Sequence, residues 1–117
     1  MDMVRLKNKQ DYIDLPLTKW NIKQPALEDV REEALESEEG LDLILVPGLA
    51  FTAGGARCGR GRGYYDTYLA RAREERVMGR QPVTVALAFK EQVVEDVPTD
   101  EHDFMIDYII AEHLSLT

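Results

Sequence analysis

The feature that most restricts how this chain can fold is a pair of short apolar runs with a glycine-rich loop and an amphipathic stretch between them. Leu41-Asp-Leu-Ile-Leu-Val46 is apolar almost throughout and is stopped by Pro47-Gly48, and Val83-Thr-Val-Ala-Leu-Ala-Phe89 is a second such run. Runs of this length and composition read as strands buried on both faces of a parallel sheet. From Tyr64 to about Met78, Tyr65, Tyr68, Leu69 and Ala72 share one face, while Arg71, Glu74, Glu75 and Arg76 fall mostly elsewhere, as in an amphipathic helix. Strand, loop, helix, strand at this spacing is a βαβ unit, which pairs its strands in parallel through a right-handed crossover. The fold class expected is α/β.

The remaining stretches carry weaker signals. Residues 3–7 alternate apolar and polar and read as a strand. From Asp11 to Leu27 the chain holds Pro16 and Pro25 with few periodic apolar residues, the pattern of an extended connection. Asp29-Val-Arg-Glu-Glu-Ala-Leu-Glu36 is rich in helix formers and Gly40 is placed to end a helix there. Lys90 to Asp103 is polar, contains Pro98 and reads mainly as loop, and Tyr108-Ile-Ile-Ala111 reads as a short last strand. No repeat or linker interrupts the 117 residues, so residues 1–117 are expected to form a single domain.

Composition narrows the function classes. Hydrophobic residues make up 44% of the chain, enough for a real core. A formal net charge of -8 argues against a general nucleic-acid or anionic-membrane binder, since phosphate attraction needs an extended basic face. The apolar runs are too short to span a bilayer, and Met1-Asp-Met-Val-Arg lacks the basic start and long apolar region of a signal peptide. Cys58 is the single cysteine, which excludes an internal disulfide and a cysteine-cluster metal site. The chain reads as a soluble cytosolic protein.

Against that acidic background, Arg57-Cys-Gly-Arg-Gly-Arg-Gly-Tyr-Tyr-Asp66 gathers three arginines and three alternating glycines between the first apolar run and the helix. Glycines let backbone approach an anion, and the first turn of a helix adds partial positive charge. Ligands in open α/β sheets sit at the carboxyl ends of strands, where this loop would lie. Arg57, Arg60 and Arg62 can then clamp phosphate oxygens. Neither the Walker A pattern nor Gly-x-Gly-x-x-Gly is present, because Gly59, Gly61 and Gly63 are each two apart. Two other readings stay open: a tight surface turn whose arginines balance local acids, and a brief arginine–glycine RNA-binding tract. Asp66 has two readings as well. It can offset the helix dipole or cap an N–H, or it can hold magnesium on phosphates bound by the loop.

RCGRGRGYYD resembles the signature of the 5-formyltetrahydrofolate cyclo-ligase (methenyltetrahydrofolate synthetase) family, Arg-x-Gly-Arg-Gly-Lys/Arg-Gly-Tyr-Tyr-Asp at the head of a helix. Other stretches agree in order: MDMVR, Trp20-Asn-Ile-x-Gln-Pro25, Asp29-Val-Arg-Glu-Glu-Ala-Leu35, Gly40-Leu-Asp-Leu-Ile44, Pro47-Gly-Leu49, Ala86-Leu-Ala-Phe-Lys-Glu-Gln92 and Val97-Pro98. The resemblance implies a three-layer α/β sandwich with a mostly parallel sheet. It also implies an ATP- and magnesium-dependent ligase that converts 5-formyltetrahydrofolate to 5,10-methenyltetrahydrofolate, releasing ADP and phosphate. The formyl oxygen would attack the γ-phosphate, and N10 of the folate would then close the ring as phosphate leaves.

Carried over by position, the resemblance assigns ATP binding to Arg57, Cys58, Gly59, Arg60, Gly61, Arg62, Gly63, Tyr64 and Tyr65. It makes Arg60 and Arg62 catalytic and sets Arg60, Gly61, Arg62, Gly63 and Tyr64 beside the folate. Asp66 matches one magnesium ligand, and Asp103 is the second, with Asp107 as runner-up. Trp20 is assigned to wall the pterin, against an alternative reading as a packed core tryptophan. The partners implied are ATP and a reduced folate, with no nucleic acid or membrane and no stated oligomeric form.

Departures from the family pattern are visible too. Ala50-Phe51-Thr52 stands where animal members show Gly-Phe-Asp, and Arg62 stands where lysine is common. Cys58 replaces an aliphatic residue and reads as a small buried hydrophobe. His102 and His113 read as solvent-facing. The family's chains continue upstream of the position matching Met1, so the resemblance implies a C-terminal portion without the first βα units and their ATP-binding lysine and arginine. An exposed hydrophobic edge and weak or absent activity are then expected, and a non-catalytic nucleotide-binding or interaction module is the alternative function.

Overall fold

The computed structural model describes residues 1–59, 63–74, 81–99 and 104–112, together with the backbone of 114–116. In chain order the elements are helix α1 (Lys9–Ile13), a 3-10 turn (Ala34–Glu36), β1 (Leu43–Leu45), β2 (Ala50–Phe51), β3 (Arg57–Cys58), helix α2 (Tyr64–Glu74), β4 (Val83–Ala88), a second 3-10 turn (Lys90–Gln92), β5 (Tyr108–Ala111) and β6 (Leu114–Leu116).

The strands form a sheet of order β1-β4-β5-β6. β1 and β4 are parallel, with Leu43 opposite Val83 and Leu45 opposite Val85, and β4 and β5 are parallel from Val85–Tyr108 to Ala88–Ala111. The α/β class and the parallel βαβ pairing expected from the two apolar runs are therefore present. β6, antiparallel to β5, adds a strand after the one expected to be last.

Because side chains alternate across a strand, each run presents two faces. Ile44, Val46, Ala86 and Ile109 point into a core closed by Tyr68, Leu69 and Ala72 of α2. The opposite face is bare: Leu43, Leu45, Val83, Leu87, Tyr108 and Ile110 are exposed. The expectation of strands buried on both faces is thus corrected. An apolar run satisfies that reading by composition alone, but α2 covers one face and no described residue covers the other. Thr84 is the polar member of the buried row. It is satisfied by Asp107, whose Oδ2 accepts from the Thr84 amide at 2.9 Å and from its hydroxyl at 3.0 Å.

Ahead of β1 the expectations change most. No strand forms at residues 3–7; Val4 makes one antiparallel bridge to Glu33. The connection expected from Asp11 begins inside α1, which starts because Asn8 Oδ1 accepts from the Asp11 amide at 2.9 Å while Asp11 Oδ2 accepts from the Lys7 amide. That reciprocal pair resembles a capping box. The helix expected over Asp29–Glu36 is reduced to the turn at Ala34–Glu36. Helix propensity is a weak preference, and here long-range partners override it. The Arg31 guanidinium forks onto Asp11, Nη1 to Oδ2 at 2.7 Å and Nη2 to Oδ1 at 2.8 Å, and Nη1 also donates to the Arg5 carbonyl. The hydrogen bond from Arg31 is the main reason the Asp11 carboxyl is held well below the usual range. Within the stretch expected to be loop, the Lys90–Gln92 turn is ordered by the Phe89 amide donating to Gln92 Oε1 at 2.7 Å.

Candidate functional site

The candidate site lies where the chain leaves the carboxyl end of β1 and enters α2. From Pro47 the backbone makes the antiparallel pair β2–β3, with Ala50 opposite Cys58 and Phe51 opposite Arg57. The Leu49 amide closes it by donating to the Cys58 carbonyl at 2.7 Å. β3 therefore delivers Arg57 beside the first turn of α2.

Arg57 is fixed there by three neighbours. Its Nε donates to the Pro47 carbonyl at 2.6 Å, its Nη1 faces Asp66 Oδ2 at 3.5 Å, and its guanidinium lies over the Tyr65 ring, 5.4 Å from the centroid. The side chain is 8% exposed. Gly59 makes room for it, since a Cβ there would sit 2.8 Å from Arg57 Nη2. The glycine thus lets the Arg57 side chain come close to the backbone.

Asp66, in the first turn of α2, faces two ways. Oδ2 meets Arg57 and Oδ1 accepts from the Phe104 amide at 3.2 Å. The residue thus joins the loop, the helix and the segment ahead of β5. Its oxygens are hard donors of the kind magnesium takes, and that ion is commonly held by one or two carboxylates plus substrate phosphates. Among the described residues no group of three or more His, Cys, Asp or Glu is placed to hold a metal by itself. The donor set fits a cation shared with phosphates better than a closed protein cage.

Of the residues singled out from sequence, Arg57, Gly59, Gly63, Tyr64, Tyr65 and Asp66 are brought together at this junction. Tyr64 is exposed and Tyr65 is half-buried against the core. Cys58 is half-buried, so its reading as a small buried hydrophobe is corrected: among the described residues β3 pairs with β2 alone. Arg60, Gly61, Arg62, His102, Asp103 and His113 lie outside the described residues. Asp107 is turned to Thr84 at the start of β4. Trp20 is 73% exposed, in a turn held by the Thr18 and Ile22 backbones, with Lys19 Nζ 5.2 Å from its ring centroid. The core reading of Trp20 is overturned.

Sequence reasoning missed two contributors. Gln92 Nε2 donates to the Gly48 carbonyl at 3.0 Å. Glu33, buried, accepts from Tyr68 of α2. Both contacts span long stretches of chain, so no local spacing could have announced them.

A model of the 5-formyltetrahydrofolate cyclo-ligase family matches residues 1–112. The chain is 54% identical over 112 residues to the 5-formyltetrahydrofolate cyclo-ligase of Mus musculus, covering 96% of this chain and 54% of the mouse protein. It is 41% identical over 106 residues to a mitochondrial 5-formyltetrahydrofolate cyclo-ligase of Arabidopsis thaliana, covering 84% of this chain and 38% of that one. Among solved structures, the Aquifex aeolicus 5,10-methenyltetrahydrofolate synthetase matches with a TM-score of 0.61 at 33% identity, over 87% of this chain and 46% of that chain. The chain spans about half the length of curated relatives such as the mouse protein.

Proposed function

The chain belongs to the 5-formyltetrahydrofolate cyclo-ligase family, and from that premise we propose that its loop and the head of α2 form one wall of an ATP and folate site. The reaction proposed is the magnesium-dependent closure of 5-formyltetrahydrofolate to 5,10-methenyltetrahydrofolate, with release of ADP and phosphate, in the cytoplasm. The formyl oxygen attacks the γ-phosphorus and ADP departs. N10 then attacks the formyl carbon, loses its proton, and the C–O bond breaks to release phosphate.

The observation that carries this reading is the Arg57–Asp66 pair at the junction of loop and helix. Phosphoryl transfer asks a protein chiefly for positioning and for charge facing the transferred oxygens. Arg57, fixed by Pro47, Asp66 and the Tyr65 ring, supplies a pre-aimed cation that loses little freedom on binding. In this proposal Arg57, Cys58, Gly59, Arg60, Gly61, Arg62, Gly63, Tyr64 and Tyr65 contact ATP, and Arg60 and Arg62 bear on the transferred phosphoryl group. Arg60 to Tyr64 also border the folate, with Trp20 against its pterin. Asp66 and Asp103 hold magnesium, which when bound neutralises phosphate charge. The test is formation of methenyltetrahydrofolate with ATP and magnesium. Activity that Arg57→Ala and Asp66→Asn both leave unchanged would remove the assignment.

The bare sheet face supports a second reading, a non-catalytic nucleotide-binding or interaction module. An ATP–magnesium titration followed by Trp20 and tyrosine fluorescence separates the two. Binding without turnover favours the module, and no response at millimolar ATP counts against nucleotide binding in either form.

A further inference from the structure

At the carboxyl end of β4, the Lys90–Gln92 turn directs one side chain to the loop that follows β1. Gln92 Nε2 donates to the Gly48 carbonyl at 3.0 Å and lies 3.4 Å from the Leu49 carbonyl, while Gln92 Oε1 accepts from the Phe89 amide at 2.7 Å. A second tie runs in parallel: the Val94 amide donates to the Phe51 carbonyl at 2.8 Å. One short segment therefore grips the loop at two points, one on each side of Ala50.

The gripped residues adjoin the perch of Arg57, whose Nε rests on the Pro47 carbonyl at 2.6 Å. The Gly48 and Leu49 carbonyls need donors, and the Phe89 amide needs an acceptor. A primary amide offers both on one planar group, an ionised carboxylate offers acceptors only, and a thioether offers neither in strength.

We infer that Gln92 is a positioning residue for the nucleotide-facing loop: it fixes the Pro47–Leu49 turn and, through the Pro47 carbonyl, sets the direction of the Arg57 guanidinium. The nucleotide-facing part rests on the function proposed above. The positioning part does not.

The test uses the full chain with Gln92→Met and Gln92→Glu, reading hydrogen exchange at Arg57 Nε–H by NMR, with the Ile109 amide of β5 as the core reference. Exchange at Arg57 Nε–H is expected to accelerate about three- to tenfold relative to Ile109 in both variants at neutral pH, the range that one or two such bonds support. In Gln92→Glu, compared with the wild type at each pH, protection should return as the pH falls through the carboxylic range near 4.3, because the protonated acid again donates. Magnesium–ATP binding should weaken by a similar factor. Should Gln92→Met fail to fold, the pH dependence of Gln92→Glu decides alone. Unchanged exchange at Arg57, or equal acceleration at Arg57 and Ile109, would overturn the inference, the second by reducing it to general stability. Faster Arg57 exchange in a chain whose wild type binds no nucleotide would keep the positioning role and sink the nucleotide reading instead.

Discussion

The Tyr68 hydroxyl donates a 2.6 Å hydrogen bond to Glu33 Oε1 across 35 residues of sequence, tying α2 to the segment ahead of β1. Both residues are buried. The Met3 amide donates to the same oxygen at 2.9 Å and the Leu35 amide to the other at 2.6 Å, with Arg71 Nη2 3.6 Å away. Tyr68→Phe keeps the ring but leaves the carboxylate short of a donor, so the expected loss is about 1–3 kcal/mol. Urea unfolding at neutral pH measures it, and a loss within error of zero would mean that water replaces the hydroxyl.

The same pair sets a pH window. Burial works to raise the Glu33 carboxyl, but the bonds from Tyr68, Met3 and Leu35 and the charge of Arg71 outweigh it, so it is held below its ordinary value. Its contribution is then present above the unfolded value, about 4.3, and lost as the pH falls through the lower folded one. For Tyr68, burial first and the bond to Glu33 second push the phenol up. Stability from Tyr68 is full below about pH 10 and declines as rising pH ionises the unfolded chain first. Stability measured against pH should therefore plateau between these limits, and Tyr68→Phe should remove the phenol's part of the alkaline decline.

How much of this could be read in advance depends on the range of the contact. β1, β4, β5 and α2 announced themselves because hydrophobic period and strand stops are local properties. So did the loop whose Arg57 and Asp66 meet, since they are nine residues apart and adjoin one helix start. Residues 29–36 failed as a helix because Arg31 and Glu33 answer to Asp11, Met3 and Tyr68, none of which is a helical neighbour. The burial of both sheet faces failed for a related reason: an apolar run records that cover is wanted, and α2 provides it on one side only.

On the ATP and magnesium site proposed above, Arg57 and Asp66 should differ in how magnesium enters. Arg57→Ala removes a cation and should weaken ATP binding with or without magnesium. Asp66→Asn keeps an acceptor for the Phe104 amide but loses the charge, so its effect on ATP should be confined to magnesium-containing buffer. As a check on the pair in the free protein, a double-mutant cycle on stability should show a coupling of roughly 0.5–1.5 kcal/mol. An Asp66→Asn defect of equal size in a chelator would take the metal away from Asp66.

Two glycines should respond unequally to alanine. Gly55 has φ +98, and a Cβ there would lie 2.3 Å from the Ile106 carbonyl oxygen, whereas Gly63 has φ +70 with nothing among the described residues within 4 Å. Gly63→Ala should cost only the left-handed penalty, about 1–2 kcal/mol. Gly55→Ala adds a backbone clash and also disturbs the hydrogen bond that the Ile106 amide donates to the Gly55 carbonyl at 2.8 Å, so its cost should exceed about 3 kcal/mol. Thermal or urea melts of the two variants give the comparison, and equal costs would show that the Gly55–Ile106 approach relaxes.

Adjacent residues of β1 offer the sharpest test of the one-sided core. Ile44 is 3% exposed and Leu45 is 56% exposed, though both belong to the same apolar run. Ile44→Ala should cost about 2–4 kcal/mol through lost burial and the cavity left behind. Leu45→Ala should cost less than about 0.5 kcal/mol, as for an exposed site with little packing to lose. Leu87, exposed on the same sheet face two residues beyond Leu45's partner Val85 on β4, should follow Leu45, and Leu87→Lys should also reduce binding of a hydrophobic dye. Unfolding at several protein concentrations completes the measurement. If Leu45→Ala costs as much as Ile44→Ala, the second face is covered in solution; a cost that grows with concentration would identify the cover as another copy of the chain.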